Sequence, residues 1–192
     1  NPTPEHEKEY LASNNDPLGL AINSTRGDAM GAAMQYGVWL KESIGKENQK
    51  NWSFKKDSPE LLQSLDFHLD ITKESSLAIR AIYGEKLGTL AWLDKGWVKS
   101  RKSIIFPEAK EKQKYFNASW ETYITFVNPF KELLKILNKQ YRRALQESGS
   151  HADTKHHLES PDQRLAQHLM VFYWVGEIDF DKDGLLNDFF KT

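Results

Sequence analysis

The sequence predicts an all-α fold, an irregular array of about seven or eight helices. Three observations carry this. Apolar residues recur at helical spacing over long stretches, and Ser-Pro or Asp-Pro steps open several of those stretches. No stretch of useful length alternates apolar and polar residues as a half-buried strand would. No fixed-period self-similarity is present, so an irregular helical solenoid is expected rather than a regular tetratricopeptide or ankyrin array.

Residues 1–15 are polar with two prolines and no periodicity, and read as a leader or linker. A single helical domain is expected over 16–192. Asp16-Pro17 is a helix start, aspartate as N-cap and proline in the first turn. Leu18, Ile22, Ala29, Ala33, Tyr36 and Leu40 then keep phase with a 3.6-residue turn, so one helix is expected to about Ser43, stopped near Gly45. Small residues crowd its centre, with Gly27 and Gly31 inside it. Glycine in a helix costs roughly 1 kcal/mol against alanine, so these positions predict close approach of another backbone. This is expected to be the central buried helix. Arg26 lies in the small-residue segment and is expected to be partnered there, because a buried guanidinium needs acceptors.

Residues 45–57 form a polar loop holding Trp52 and Phe54, aromatics that pin a loop to the body or offer a contact site. Ser58-Pro59-Glu60 opens a helix carrying Leu61, Leu62 and Leu65, which ends near Asp70. Thr72 or Ser75 caps the next. Leu77, Ile79, Ile82, Tyr83, Leu87, Leu90 and Leu93 form its stripe as far as Asp94, and Gly84 and Gly88 predict another close crossing. A short helix over 95–106 turns Trp97, Val98 and Ile105 inward, and Pro107 ends it. The charged run 108–115 reads as a solvated face or loop.

Asn117 or Ser119 caps a helix with Trp120, Tyr123 and Phe126, which Asn128-Pro129 interrupts. The following helix sets Phe130, Leu133, Leu134, Leu137, Tyr141 and Leu145 opposite Lys131, Lys135, Lys139 and Arg143. A loop spans 148–160. Ser160-Pro161-Asp162 opens the helix of Leu165, Leu169, Phe172 and Val175, closed by Gly176. A last helix begins near Gly184. Its apolar residues Leu185, Leu186, Phe189 and Phe190 reach the end of the chain, so a fragment of a longer helical array is expected.

Composition narrows the function. Of 192 residues 39% are hydrophobic and 12% aromatic, so bulky rings supply much of the core volume. The formal net charge is −1 with both signs mixed along the chain, which makes no electrostatic case for nucleic acid or an anionic membrane. There is no cysteine, which excludes disulfides and thiolate metal sites and suits a reducing, cytoplasmic setting. No apolar run reaches the roughly 20 residues that span a bilayer.

Few motifs carry chemistry. Asp179, Asp181, Asp183 and Gly184 match the opening of a calcium-binding EF-hand loop, in which alternate oxygens surround a hard cation. The twelfth position is Phe190 where a bidentate glutamate belongs, so an acidic helix start is the preferred reading. His151, His156 and His157 share one loop, without the fixed geometry zinc requires. His168 and His68 read as core histidines. No nucleophile–histidine signature, phosphate-binding loop or HExxH helix is present, so no catalytic residue and no cofactor is expected. Arg26 and Arg80 are embedded in apolar helix faces and read as inter-helix ties, with Asp94 and Glu177 as candidate partners.

The segments AINSTRGDAMGAAMQYGVWL, SSLAIRAIYGEKLGTLAWLDKGWVKSRKSIIFP, ASWETYITFVNPFKELLKILNKQYRRAL and LAQHLMVFYWVGEI occur in that order. As an ordered set over roughly residues 16–190 they resemble the C-terminal helical region of large bacterial antiviral NTPases of the STAND class, especially those with a sirtuin-like N-terminal effector. The resemblance implies the sensor or scaffold part of a cytoplasmic anti-phage defence protein. Its partners would be a protein, a phage protein among the candidates, and the upstream domains of the same chain. Asn23, Ser24, Arg26 and Gly27 carry the resemblance and bring no established role.

The expectation is thus a non-enzymatic module acting by protein–protein binding. Trp52, Phe54, Trp97 and Trp120 are its candidate contact residues, because tryptophan is favoured at binding hot spots. Two alternatives stay open, a calcium-responsive module using residues 179–184 and a helical enzyme with an acidic site.

Overall fold

In the computed structural model, residues 3–13, 16–148, 160–180 and 184–191 are described, and all regular structure among them is helical. The thirteen α-helices are α1 (Pro4–Ala12), α2 (Pro17–Ile22), α3 (Thr25–Ser43), α4 (Lys46–Gln49), α5 (Phe54–Asp57), α6 (Pro59–Leu69), α7 (Leu77–Glu85), α8 (Leu87–Leu93), α9 (Lys95–Ile105), α10 (Gln113–Phe126), α11 (Lys131–Glu147), α12 (Pro161–Trp174) and α13 (Leu185–Phe189). They outnumber the seven or eight expected because two helices read as continuous are each cut in two, and because α1 lies in the segment read as a leader and α4 and α5 in the stretch 45–57 read as a loop. None is long and apolar enough to cross a membrane. The contacts divide the chain into two compact units, Asn1–Tyr123 and Ile124–Thr192.

In the first unit the helix expected over 18–40 is two helices. The side chain of Ser24 accepts the Gly27 amide at 3.1 Å and starts α3 afresh after α2. Gly27 packs so tightly on the Ala21 carbonyl that a Cβ there would collide with it. The break resets the helical phase, so the predicted stripe does not exist. Gly27, Met30, Met34, Gly37 and Lys41 are the buried face of α3, while Ile22 and Tyr36 are exposed. Lys41 reaches under Trp92 to donate to the Trp92 and Leu93 carbonyls at the end of α8, and burial pushes its pKa down.

The helix expected over 77–93 is likewise two, joined at Lys86. Every residue of α7 from Ala78 to Gly84 is buried. Gly84 is the close crossing that the glycine spacing predicted: a Cβ there would strike the Ser119 carbonyl and the Thr122 hydroxyl on α10. The start of α7 is sealed from outside the helix. The Glu7 carboxylate accepts the Leu77 and Ala78 amides, and Ser76 accepts that of Ile79. The segment expected to be a leader therefore contains a helix, α1, that caps another.

Two aromatic clusters fill the rest of this core. Phe54 lies edge-on to Trp52 and Trp97, and Tyr83 stacks on Trp97. Phe106 packs against Phe116, Trp120 and Tyr123. Helix α10 starts at Gln113, earlier than the expected Asn117 or Ser119, because a 3-10 turn at Lys110–Lys112 leads the charged run into it.

In the second unit α11 is amphipathic as its pattern predicts. Leu133, Leu134, Leu137, Tyr141 and Leu145 are buried, and Lys131, Lys135 and Lys139 are exposed, whereas Phe130 caps the helix half-buried and Arg143, expected on the polar side, is half-buried against Glu147. The buried residues pack with Leu165, Leu169 and Phe172 of α12 and with Leu185 and Leu186 of α13. Ser160 and Gln163 form a reciprocal capping box, and Pro161 occupies the first position of α12.

Candidate functional site

The residues that carry the resemblance are structural. Ser24 caps α3, Gly27 allows the tight turn, and Asn23 Nδ2 donates to the Gly19 carbonyl at 2.7 Å. Arg26 pairs with Glu74, which also accepts the Ser76 amide and lies 3.4 Å from Nδ1 of His68. His68 is thus a half-buried member of an ionic cluster; burial first, and then the Arg26 charge, hold its pKa down. The two candidate partners, Asp94 and Glu177, are engaged elsewhere. Asp94 caps α9 through the Trp97 amide at 2.8 Å and takes the Phe54 amide at 3.1 Å. Glu177 lies 3.8 Å from Lys131.

Arg80 is fully buried. Its Nη2 donates to the Leu69 carbonyl, its guanidinium lies 5.8 Å from the centre of the Tyr115 ring, and its Nε and Nη1 have no hydrogen-bond partner. Burial depresses its pKa. Among the described residues no carboxylate hydrogen-bonds to it, and Asp70 turns to Thr72 and Lys73. An inter-helix tie through a carbonyl is what the geometry provides, since Leu69 ends α6 and Arg80 lies in α7.

The four aromatics singled out as contact residues are all buried: Trp52, Phe54, Trp97 and Trp120 form the two core clusters. Asp94 explains the first pair. By taking the Phe54 amide it draws the 52–54 loop onto the body, so the loop is pinned rather than displayed. Asp179 is exposed, whereas Asp181 and Asp183 lie outside the described residues, as do His151, His156 and His157. Among the described residues no group of three or more histidines and carboxylates could hold a metal ion.

The surface feature that stands out belongs to the second unit. A groove of about 1240 Å³ runs between α11, α12 and the start of α13. Met170, Val171, Tyr173 and Trp174 form one wall, and Asn138, Arg142, Glu177, Ile178 and Leu185 contribute to the rest. Trp174 is 90% exposed at its edge, and Val175 beside it is 63% exposed. Phe180 continues the surface, edge-on to Tyr173 at 5.1 Å and stacked on Phe190 at 5.6 Å. Gly176, at φ +73°, turns the chain out of α12 and back over the groove. The polar groups at the rim are largely paired, Arg142 with Asp188 and Lys131 with Glu177.

Sequence reasoning missed this face, although its signal is present. Leu169 to Val175 is seven apolar residues in succession, and a helix apolar all round cannot bury every side against one core. Leu165, Leu169 and Phe172 take the inward face, while Val175, expected to join them, is exposed past the helix end.

A second cavity, of about 500 Å³, lies in the first unit against Asp66, Asp70, Arg101 and Lys112. Asp66 accepts both Arg101 nitrogens and the Trp97 indole, and these bonds, that from Arg101 foremost, hold its carboxyl below the ordinary range. Such a carboxylate is tied up as an acceptor and offers no poised acid or base.

No protein-family model matches the chain, and neither a curated protein nor a solved structure matches it.

Proposed function

We propose that the chain is a non-enzymatic helical interaction module that docks protein through the aromatic face of α12. The carrying observation is Trp174, 90% exposed at the edge of an apolar groove of about 1240 Å³. Large contiguous apolar surface rimmed by polar residues is what protein-binding sites display, and tryptophan and tyrosine dominate binding energy at them. The groove also exceeds the roughly 300–1,000 Å³ of small-molecule sites, which favours a protein occupant. The ordered sequence blocks support a place in the C-terminal sensor or scaffold part of a cytoplasmic antiviral STAND-type NTPase. There the helices would form part of an irregular solenoid, and docking would bear on the domains upstream.

The test is co-purification from bacteria with and without phage challenge, comparing the tagged wild-type chain with Trp174→Ala. Retention of a protein by the wild type, an untagged second copy included, and its loss in the variant is the expected result. Equal retention by both, or nothing retained beyond the tag control, would count against the module.

A further inference from the structure

The aromatic face has the properties of a surface made to meet itself. Tyr173, Trp174, Phe180 and Phe190 are 44%, 90%, 58% and 65% exposed, and Met170, Val171 and Val175 add to them. Taking about 150–250 Å² for a fully covered aromatic ring, these side chains offer on the order of 800 Å². Monomers rarely display contiguous apolar patches above about 300–600 Å², whereas a standard interface needs about 800 Å² from each partner. The patch is continuous, because Tyr173, Phe180 and Phe190 touch ring to ring and Tyr173 and Trp174 share the groove wall.

Its shape and charge point the same way. A projecting knob, Trp174, and a receiving groove lie on one face, which is the condition for a two-fold contact in which each copy fills the other. Lys131 faces Glu177 and Arg142 faces Asp188 at the rim. These pairs set opposite charges side by side rather than in a block of one sign, so they do not turn an identical face away.

We infer that this face docks a second copy of the chain, with Trp174 of each copy seated in the groove of the other. The inference rests on the docking role proposed above for the same face. Sedimentation velocity across the micromolar range tests it on the 192-residue chain. Wild type and Trp39→Glu, a change at an exposed tryptophan of the first unit, are expected to pass from monomer to dimer with concentration. Trp174→Glu and Met170→Arg, both at exposed positions, are expected to stay monomeric with unchanged helical circular dichroism. A wild type that remains monomeric throughout would overturn the inference, as would a dimer that survives both groove substitutions. A monomeric wild type that still co-purifies with a different protein through Trp174 would remove the second copy and leave the interaction module standing.

Discussion

The Tyr141 hydroxyl lies 2.8 Å from Nδ1 of His168, and neither residue reaches solvent. Burial first, and then the Arg164 charge, push the His168 pKa down to about 4, against an opposing bond to the Val127 backbone. The ring is therefore neutral in the folded chain, and it shares one hydrogen bond with the tyrosine hydroxyl.

That pair makes stability depend on pH. An unfolded histidine titrates near 6.5, so below that value the unfolded chain takes up a proton that the folded chain refuses. The stabilisation is complete above about pH 6.5 and shrinks as pH falls toward 4, by on the order of 3 kcal/mol in total. Urea unfolding between pH 7 and 4.5 should show this loss. His168→Phe should lower stability at pH 7, because the buried Tyr141 hydroxyl loses its bond to the ring, and should flatten the slope. Equal slopes in the two proteins would contradict the assignment.

The Arg26–Glu74 pair is unequal, since Glu74 is 6% exposed at the side chain and Arg26 34%. Glu74→Ala also strips the acceptor from the Ser76 amide. It should cost about 2–3 kcal/mol, and Arg26→Ala about 1–2 kcal/mol, because solvent screens the outer partner. A double-mutant cycle by chemical denaturation should give a coupling of about 1 kcal/mol. Strict additivity would mean that the pair contributes nothing.

Two glycines separate crowding from propensity. Gly84→Ala must push a methyl group into the Ser119 carbonyl and should cost about 2–4 kcal/mol. Gly31→Ala meets no atom within 4 Å and should be neutral or stabilising by up to about 1 kcal/mol. Thermal melts of the two variants, measured side by side, check both.

Arg80 holds a charge in the core with two nitrogens lacking partners. Arg80→Met keeps most of the volume and removes the desolvated charge, so its stability should stay within about 1 kcal/mol of wild type or exceed it. Arg80→Ala should lose about 2–4 kcal/mol to the space it leaves. If Met proves as costly as Ala, the guanidinium carries the fold in a way its contacts do not show.

Much of the architecture was legible because it rests on local chemistry. Asp16-Pro17 and Ser160-Pro161 open helices as their residue types require, and the α11 stripe is buried in the phase its spacing predicts. Failures came where one residue interrupts a pattern. Ser24 and Lys86 cut helices whose apolar spacing ran on across the cut by coincidence, so the face assigned to residues 18–40 was wrong. Partners distant in sequence were equally hidden. Nothing local says that Arg26 meets Glu74 forty-eight positions away, or that Glu7 caps a helix seventy positions on. The tryptophans of the candidate site were chosen by residue type, but burial depends on tertiary packing. Hence Trp52, Trp97 and Trp120 lie inside, and Trp174, which no expectation singled out, lies outside.

The most direct test of the docking face is site-resolved crosslinking in cells. A photoreactive phenylalanine analogue replaces Trp174 in one protein and Lys139, exposed on α11, in another. A discrete protein adduct is expected from position 174 and none from position 139, with mass spectrometry showing whether the adduct is a second copy. No adduct at 174, or the same adducts from both positions, would contradict docking through this face.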